Sequence, residues 1–269
     1  WNWDVVEGND RMQINLPIAR NTDGSSITGT IVAEITTNFS SQCEPTVWGN
    51  SRGYSPVHSF LDSSTLSLRA RQRDLRQNID RSRWSFGCMS NDSPEVLPTN
   101  LYLADRFKPG FLYELSYITK NPRIVGLGLA AIRDAMSFFR FNKMDDAGEP
   151  NPVWGSIDNA LIFGISQSGR VIQHMIFQKF HRDESERMVF DGAFVHVAGG
   201  GKGSFNHRFA QTTRHPSAHE DHQYVADFFP FATIPQQDHI TGEDGDVLER
   251  AKEAKAVPKI FYTTTSTEY

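Results

Sequence analysis

The strongest chemical signal in the chain lies in seven residues, Gly164-Ile165-Ser166-Gln167-Ser168-Gly169-Arg170. They follow the apolar run Ala160-Leu161-Ile162-Phe163 and precede Val171-Ile172-Gln173-His174-Met175-Ile176-Phe177, which has helical spacing. A serine between small residues, set where a strand turns sharply into a helix, is an arrangement that presents a hydroxyl as a nucleophile. Such a turn needs small residues two before and two after the serine, and Gly164 and Ser168 meet that need. A helix N-terminus beneath the hydroxyl would stabilise negative charge developing on an attacked carbonyl oxygen. An ordinary β–α turn capped by a serine would use the same residue types, so the remaining chain must supply the context.

The elements that would position this serine fall into two regions. Residues 1 to about 100 read as β-rich and irregular, with alternation in Met12-Gln13-Ile14-Asn15-Leu16 and Thr65-Leu66-Ser67-Leu68-Arg69 and a Thr/Ile/Val-rich strand over 27–35. Residues 40–64 carry Gly, Pro, Ser and Asn and read as loop. From about 101 to 269 strands alternate with helices. The spacing predicts a strand over 111–118, a helix over 126–141, the strand 161–165, a helix over 169–180, a strand over 189–197, a short helix over 247–256 and a last strand over 258–264. Residues 199–245 are dense in Gly, His, Pro and Asp; so long a stretch without periodicity reads as a lid-like insertion. The alternation implies an α/β fold with a mainly parallel sheet flanked by helices.

Composition narrows the function. The 269 residues carry 27 basic and 32 acidic side chains, a formal net charge of -5, which argues against a general nucleic-acid binder. No apolar run reaches the length of a membrane span. The arginines of residues 69–83 are interleaved with Asp74 and Asp80 and read as a solvated face. Cys43 and Cys88 are compatible with one disulfide or with two buried thiols. Asn38-Phe39-Ser40 and Asn91-Asp92-Ser93 fit the glycosylation pattern. The chain opens at Trp1, as a processed product would; the expected location is secreted or periplasmic.

With these residues in view the chain resembles the alpha/beta-hydrolase superfamily, and within it the branch described simply as alpha/beta hydrolase domain proteins. The resemblance is carried by Trp3-Asp4-Val5-Val6-Glu7, Tyr113-Glu114-Leu115, Gly126-Leu127-Gly128-Leu129-Ala130-Ala131-Ile132-Arg133-Asp134, the Ser166 segment, His196-Val197-Ala198-Gly199-Gly200-Gly201, Gly203-Ser204-Phe205-Asn206-His207-Arg208 and Glu268-Tyr269. It implies a serine hydrolase that cleaves carboxylic esters of small molecules, with no cofactor and no metal. Ser166 matches the nucleophile. Glu268, a few residues past the last strand, stands where the acid of the triad is expected. The oxyanion donors are expected from the N–H of Gln167 and from the loop after the Tyr113 strand, at Lys120. In the superfamily a further strand and a histidine follow the acid. The resemblance therefore implies a fold incomplete at its C-terminal end, with the general base beyond residue 269. Within the chain, His207 is the first candidate for that base and for lining the pocket. His196, between Val195 and Val197, reads as a packed sheet residue. Phe229, in the run Phe228-Phe229-Pro230-Phe231, is expected to line an acyl or aryl subsite.

Other patterns carry less. Gly126-x-Gly128-x-x-Ala131 opens a helix like a dinucleotide fingerprint, with Asp145 and Asp146 beyond it, but the tight strand-to-glycine turn is missing. Gly199-Gly200-Gly201-Lys202-Gly203-Ser204 lacks the spacing of a phosphate loop. His215, His219 and His222 lie near Glu220 and Asp221 without the order of a zinc protease. The alternative to an esterase is a non-catalytic binding or scaffold protein on the same fold.

Overall fold

The computed structural model describes residues 16–46, 53–71, 73–89, 96–203, 205–209 and 228–266. The chain divides into two compact units. The first is residues 1–124 with 208–223; the second is 125–207 with 224–269. Residues 101–124, expected to open the alternation of strands and helices, fall in the first unit.

Among the described residues the first unit has seven strands: β1 (Thr28–Ile35), β2 (Ser41–Pro45), β3 (Thr65–Arg69), β4 (Gln77–Ile79), β5 (Trp84–Met89), β6 (Val96–Phe107) and β7 (Leu112–Lys120). They form a four-stranded sheet in the order β1-β7-β3-β4 and a three-stranded sheet in the order β2-β6-β5. All the pairs are antiparallel. Alternation explains the core. Ile31, Ala33 and Ile35 on β1, and Tyr113, Leu115 and Tyr117 on β7, are buried at every second position. They join Leu66, Trp84, Leu101, Leu103 and Phe107 in one cluster. β2 lies in the stretch expected to be loop, and β6 carried no strand expectation of its own. β6 contains Pro98 and Asn100, which depress strand propensity, and its partner β5 shifts register at Gly87, where φ is +89°. Cys43 and Cys88 form a disulfide that joins the two strands flanking β6.

Arg69 departs from the solvated face expected of it. It is buried, with Nη2 3.8 Å from Glu34 and 3.9 Å from Glu114. Register explains this: Glu34 and Glu114 stand opposite each other across β1 and β7. Two carboxylates so placed repel, and Arg69 supplies the compensating charge. Arg76 completes the group with two bonds to Glu114, at 2.7 and 2.8 Å.

The second unit contains α1 (Leu127–Phe141), β8 (Leu161–Ile165), α2 (Gln167–Phe177), β9 (Gly192–His196), the short pair β10 (Gln236–Gln237) and β11 (Asp244–Gly245), α3 (Glu249–Glu253) and β12 (Lys259–Thr263). Its sheet is parallel, in the order β12-β9-β8. Parallel neighbours require a crossover, and α2 provides it between β8 and β9. The core on α2 has two parts. Ile172 and Ile176 pack with Ala193, Val195 and Ala251, while Met175 packs with Leu129, Val189 and Phe190. Among the described residues the expected mainly parallel sheet is thus confined to three strands of this unit, and most strand pairs are antiparallel. β7 was read as the first strand of the α/β alternation, but it pairs antiparallel with β1 and β3 because its Tyr, Leu and Tyr side chains complete the first unit's core. Gly126, read as part of a possible nucleotide fingerprint, has a packing role: a Cβ there would collide with the side chain of Asn206.

Candidate active site

Ser166 occupies the single residue between the end of β8 and the start of α2. Its backbone has φ 53° and ψ −119°, a region that L residues adopt only under constraint. The constraint can be named. The N–H of Ser166 donates to the carbonyl of His196 at 2.8 Å, and the Ser166 carbonyl accepts from the N–H of Arg170 at 3.1 Å. One bond ties the turn to the neighbouring strand, the other to the first turn of the helix. Between them the chain reverses with no linker residues.

The closeness of that turn sets its composition. A Cβ on Gly164 would stand 2.5 Å from the Ser168 carbonyl oxygen and 2.8 Å from the Gly169 nitrogen. A Cβ on Gly169 would stand 2.9 Å from the Ala198 Cβ and 3.1 Å from the Gly164 oxygen. Gly164 is expected from the spacing alone, whereas Gly169 is needed because the helix lies against the end of β9. Ser166 itself is exposed, and its Oγ makes no hydrogen bond among the described residues. The N–H of Gln167, in the first turn of α2, is likewise unspent there.

The C-terminal ends of the three strands are braced together. Ile165, His196 and Thr263 share one level in the parallel register. The N–H of Val197 donates to the Thr263 carbonyl at 2.7 Å, and His196 Nδ1 lies 2.5 Å from Thr263 Oγ1. Val197 also has positive φ, 44°, a rare conformation for a β-branched residue. His196 is therefore not wholly packed: half-buried, it points to the same face as the exposed Phe194, and its ring is engaged by Thr263 rather than by Ser166.

The loop after β9 is fastened to α2 and to the segment 228–231. Gln173, buried on α2, donates to the Gly200 carbonyl at 3.0 Å. Lys202 does not serve a phosphate loop. It is buried and its Nζ donates to the carbonyls of Phe228 at 2.6 Å and Pro230 at 2.9 Å, above the ring of Phe177. Burial pulls its pKa down to about 8. His174 is buried beside Phe177 and Phe205, with neither ring nitrogen hydrogen-bonded, and burial reinforced by the charge of Lys202 lowers its pKa to about 4.

The remaining expected site residues are distributed as follows. His207 is exposed, with its ring 6.4 Å from that of Phe228, and it makes no bond to Ser166. Phe229 is half-buried; its ring edge faces Gly245, and Phe231 lies 6.3 Å away. Lys120 ends β7 in the first unit, level with Thr28. Glu268 lies outside the described residues, as do His215, His219, Glu220, Asp221 and His222. Among the described residues no group of His, Cys, Asp or Glu is arranged to hold a metal, and no helix is long and apolar enough to cross a membrane.

A parallel sheet whose edge strand β8 runs through a constrained serine into a helix defines an α/β class of protein with a candidate hydrolytic site. The family model described as alpha/beta hydrolase domain matches residues 2–240, and the chain belongs to that family. No curated protein and no solved structure matches the chain.

Proposed function

We propose that the protein is a serine hydrolase that cleaves carboxylic esters of small molecules through an acyl-enzyme on Ser166. The observation that carries this reading is the backbone of Ser166, held at φ 53° and ψ −119° with its hydroxyl exposed and unbonded. Strain of about 1–3 kcal/mol in one residue is retained where a side chain must be presented in one direction.

In this reading Ser166 Oγ attacks the ester carbonyl carbon and its proton passes to an imidazole. The carbonyl oxygen becomes an oxyanion and accepts the N–H of Gln167. The C–O bond to the alcohol breaks, and the alcohol leaves with the proton. Water then attacks the acyl-serine, releasing the acid and restoring the hydroxyl. Glu268 follows β12 by five residues. β12 lies two strand spacings, about 10 Å, from β8, a separation that one imidazole hydrogen-bonded at both ends can bridge. His207 and Phe229 line the substrate side. The Cys43–Cys88 disulfide and the exposed Asn38 of the Asn38-Phe39-Ser40 pattern favour a secreted or periplasmic protein.

One observation favours a non-catalytic binding protein instead: among the described residues no imidazole reaches Ser166. Fluorophosphonate labelling separates the two. The full-length protein is expected to label at Ser166 and to hydrolyse p-nitrophenyl esters, and Ser166→Ala is expected to lose both. Esterase activity that survives in Ser166→Ala at the wild-type rate refutes the assignment, and a full-length protein that neither labels nor hydrolyses supports the binding reading.

A further inference from the structure

Arg170 is placed against three electrostatic preferences at once. It sits one turn into α2, near the positive end of the helix, where a cation is disfavoured and an anion favoured. It is half-buried, which costs hydration of its charge. Its guanidinium also has no hydrogen bond, ion pair or ring contact among the described residues. The other five arginines of the second unit all have partners. Arg133, Arg140, Arg182 and Arg187 are ion-paired with Asp134, Asp191, Glu186 and Asp183, and Arg250 lies over the Phe177 ring. A residue that breaks several local rules without a compensating contact marks a functional position.

The helix geometry says which way Arg170 faces. At about 100° per residue it shares one side of α2 with Gln173, His174 and Phe177. Gln173 reaches the loop after β9, and Phe177 lies under Lys202. Arg170 occupies the position on that side one turn closer to Ser166, and its own N–H bonds the Ser166 carbonyl. Helical side chains lean toward the N-terminus, here toward the serine. Lys202 cannot take the same role, since its ammonium is spent on the Phe228 and Pro230 carbonyls.

We infer that Arg170 is the anion-recognition residue of the Ser166 site and that the substrates are esters bearing a carboxylate a few carbons from the scissile carbonyl. The inference rests on the ester-hydrolase reading and adds the substrate class. A guanidinium holds a carboxylate through two parallel N–H···O bonds, and the charge of the bound carboxylate would offset the helix and desolvation penalties that Arg170 bears in the free protein.

The test compares mono-p-nitrophenyl glutarate with neutral p-nitrophenyl valerate on the full-length protein. Wild type is expected to favour the anionic ester in kcat/KM by about ten- to a hundredfold, the worth of a charged hydrogen-bonded contact. In Arg170→Gln that ratio is expected to fall at least tenfold, mainly through KM, and Arg170→Lys should restore part of it. As a readout independent of turnover, free glutarate should slow fluorophosphonate labelling of Ser166 in wild type and not in Arg170→Gln. An equal ratio in wild type and Arg170→Gln, or labelling without protection, overturns this inference and leaves the hydrolase reading standing. No labelling of wild type at all overturns the hydrolase reading itself.

Discussion

Gly164→Ala is the substitution that probes the elbow most directly. The added methyl would meet the Ser168 carbonyl oxygen at 2.5 Å and its carbonyl carbon at 2.6 Å, about 1 Å inside ordinary contact. Both atoms are backbone in the first turn of α2, and that turn is pinned by the Arg170 N–H to the Ser166 carbonyl and by Gly169 lying against Ala198. Neither side can yield cheaply. The expected cost is about 1–3 kcal/mol in stability, or roughly 2–4 °C in melting temperature per kcal/mol. The serine must shift by nearly the same distance, and a 1 Å misplacement is worth about a hundredfold in rate. The assay is the rate of fluorophosphonate labelling at Ser166, read beside a thermal melt. Gly192→Ala, at the start of β9, is the control. Its closest contact is Leu161 Cδ2 at 2.8 Å, the end of a side chain 78 % exposed that can swing away, with the Lys259 oxygen next at 3.3 Å. Labelling of Gly164→Ala at the wild-type rate, or an equal loss in Gly192→Ala, would refute the argument that backbone contact around Gly164 sets the serine's position.

Three further outcomes are expected. Ser166→Gly and Ser166→Ala should both be inactive, but the glycine relieves a positive φ and should be the more stable by about 1 kcal/mol after its own chain-entropy cost; a urea titration that ranks them the other way sinks the claim of strain. His174, held near pKa 4, and His181, also lowered by burial, stay neutral in the folded protein while the unfolded chain protonates them near 6.5. The unfolded state therefore binds more protons, and stability should fall as pH drops from about 6.5 to 4, by about 3 kcal/mol for His174 alone; a flat profile over that range, or one unaltered in His174→Phe, contradicts this. Reducing Cys43–Cys88, a separation of 45 residues, should cost up to about 4 kcal/mol, read as a lower melting temperature that reductant leaves unchanged in the double Cys→Ser variant.

The parts legible in the sequence were those with local causes. β8, the Ser166 turn and α2 follow from an apolar run, small residues and helical spacing within about twenty positions, and β12 from its β-branched and aromatic content. Long-range pairing was hidden. Nothing near β7 names its partners, although its strict alternation, with Tyr113, Leu115 and Tyr117 on one face, is the mark of an antiparallel strand with one covered side. Arg69 was misjudged because the carboxylates that bury it lie 35 and 45 positions away. At the site, Gly169 and the strained Val197 escaped notice because their necessity comes from contact between α2 and the end of β9.

The braces among residues 166, 196, 197 and 263 run mostly from amide to carbonyl, and amides are common to nearly every amino acid. Side chains bordering the serine can therefore be exchanged without loosening its support. Reactivity and selectivity become separable traits: one scaffold can be retuned for new molecules by rewriting its rim, while the reacting oxygen keeps its place.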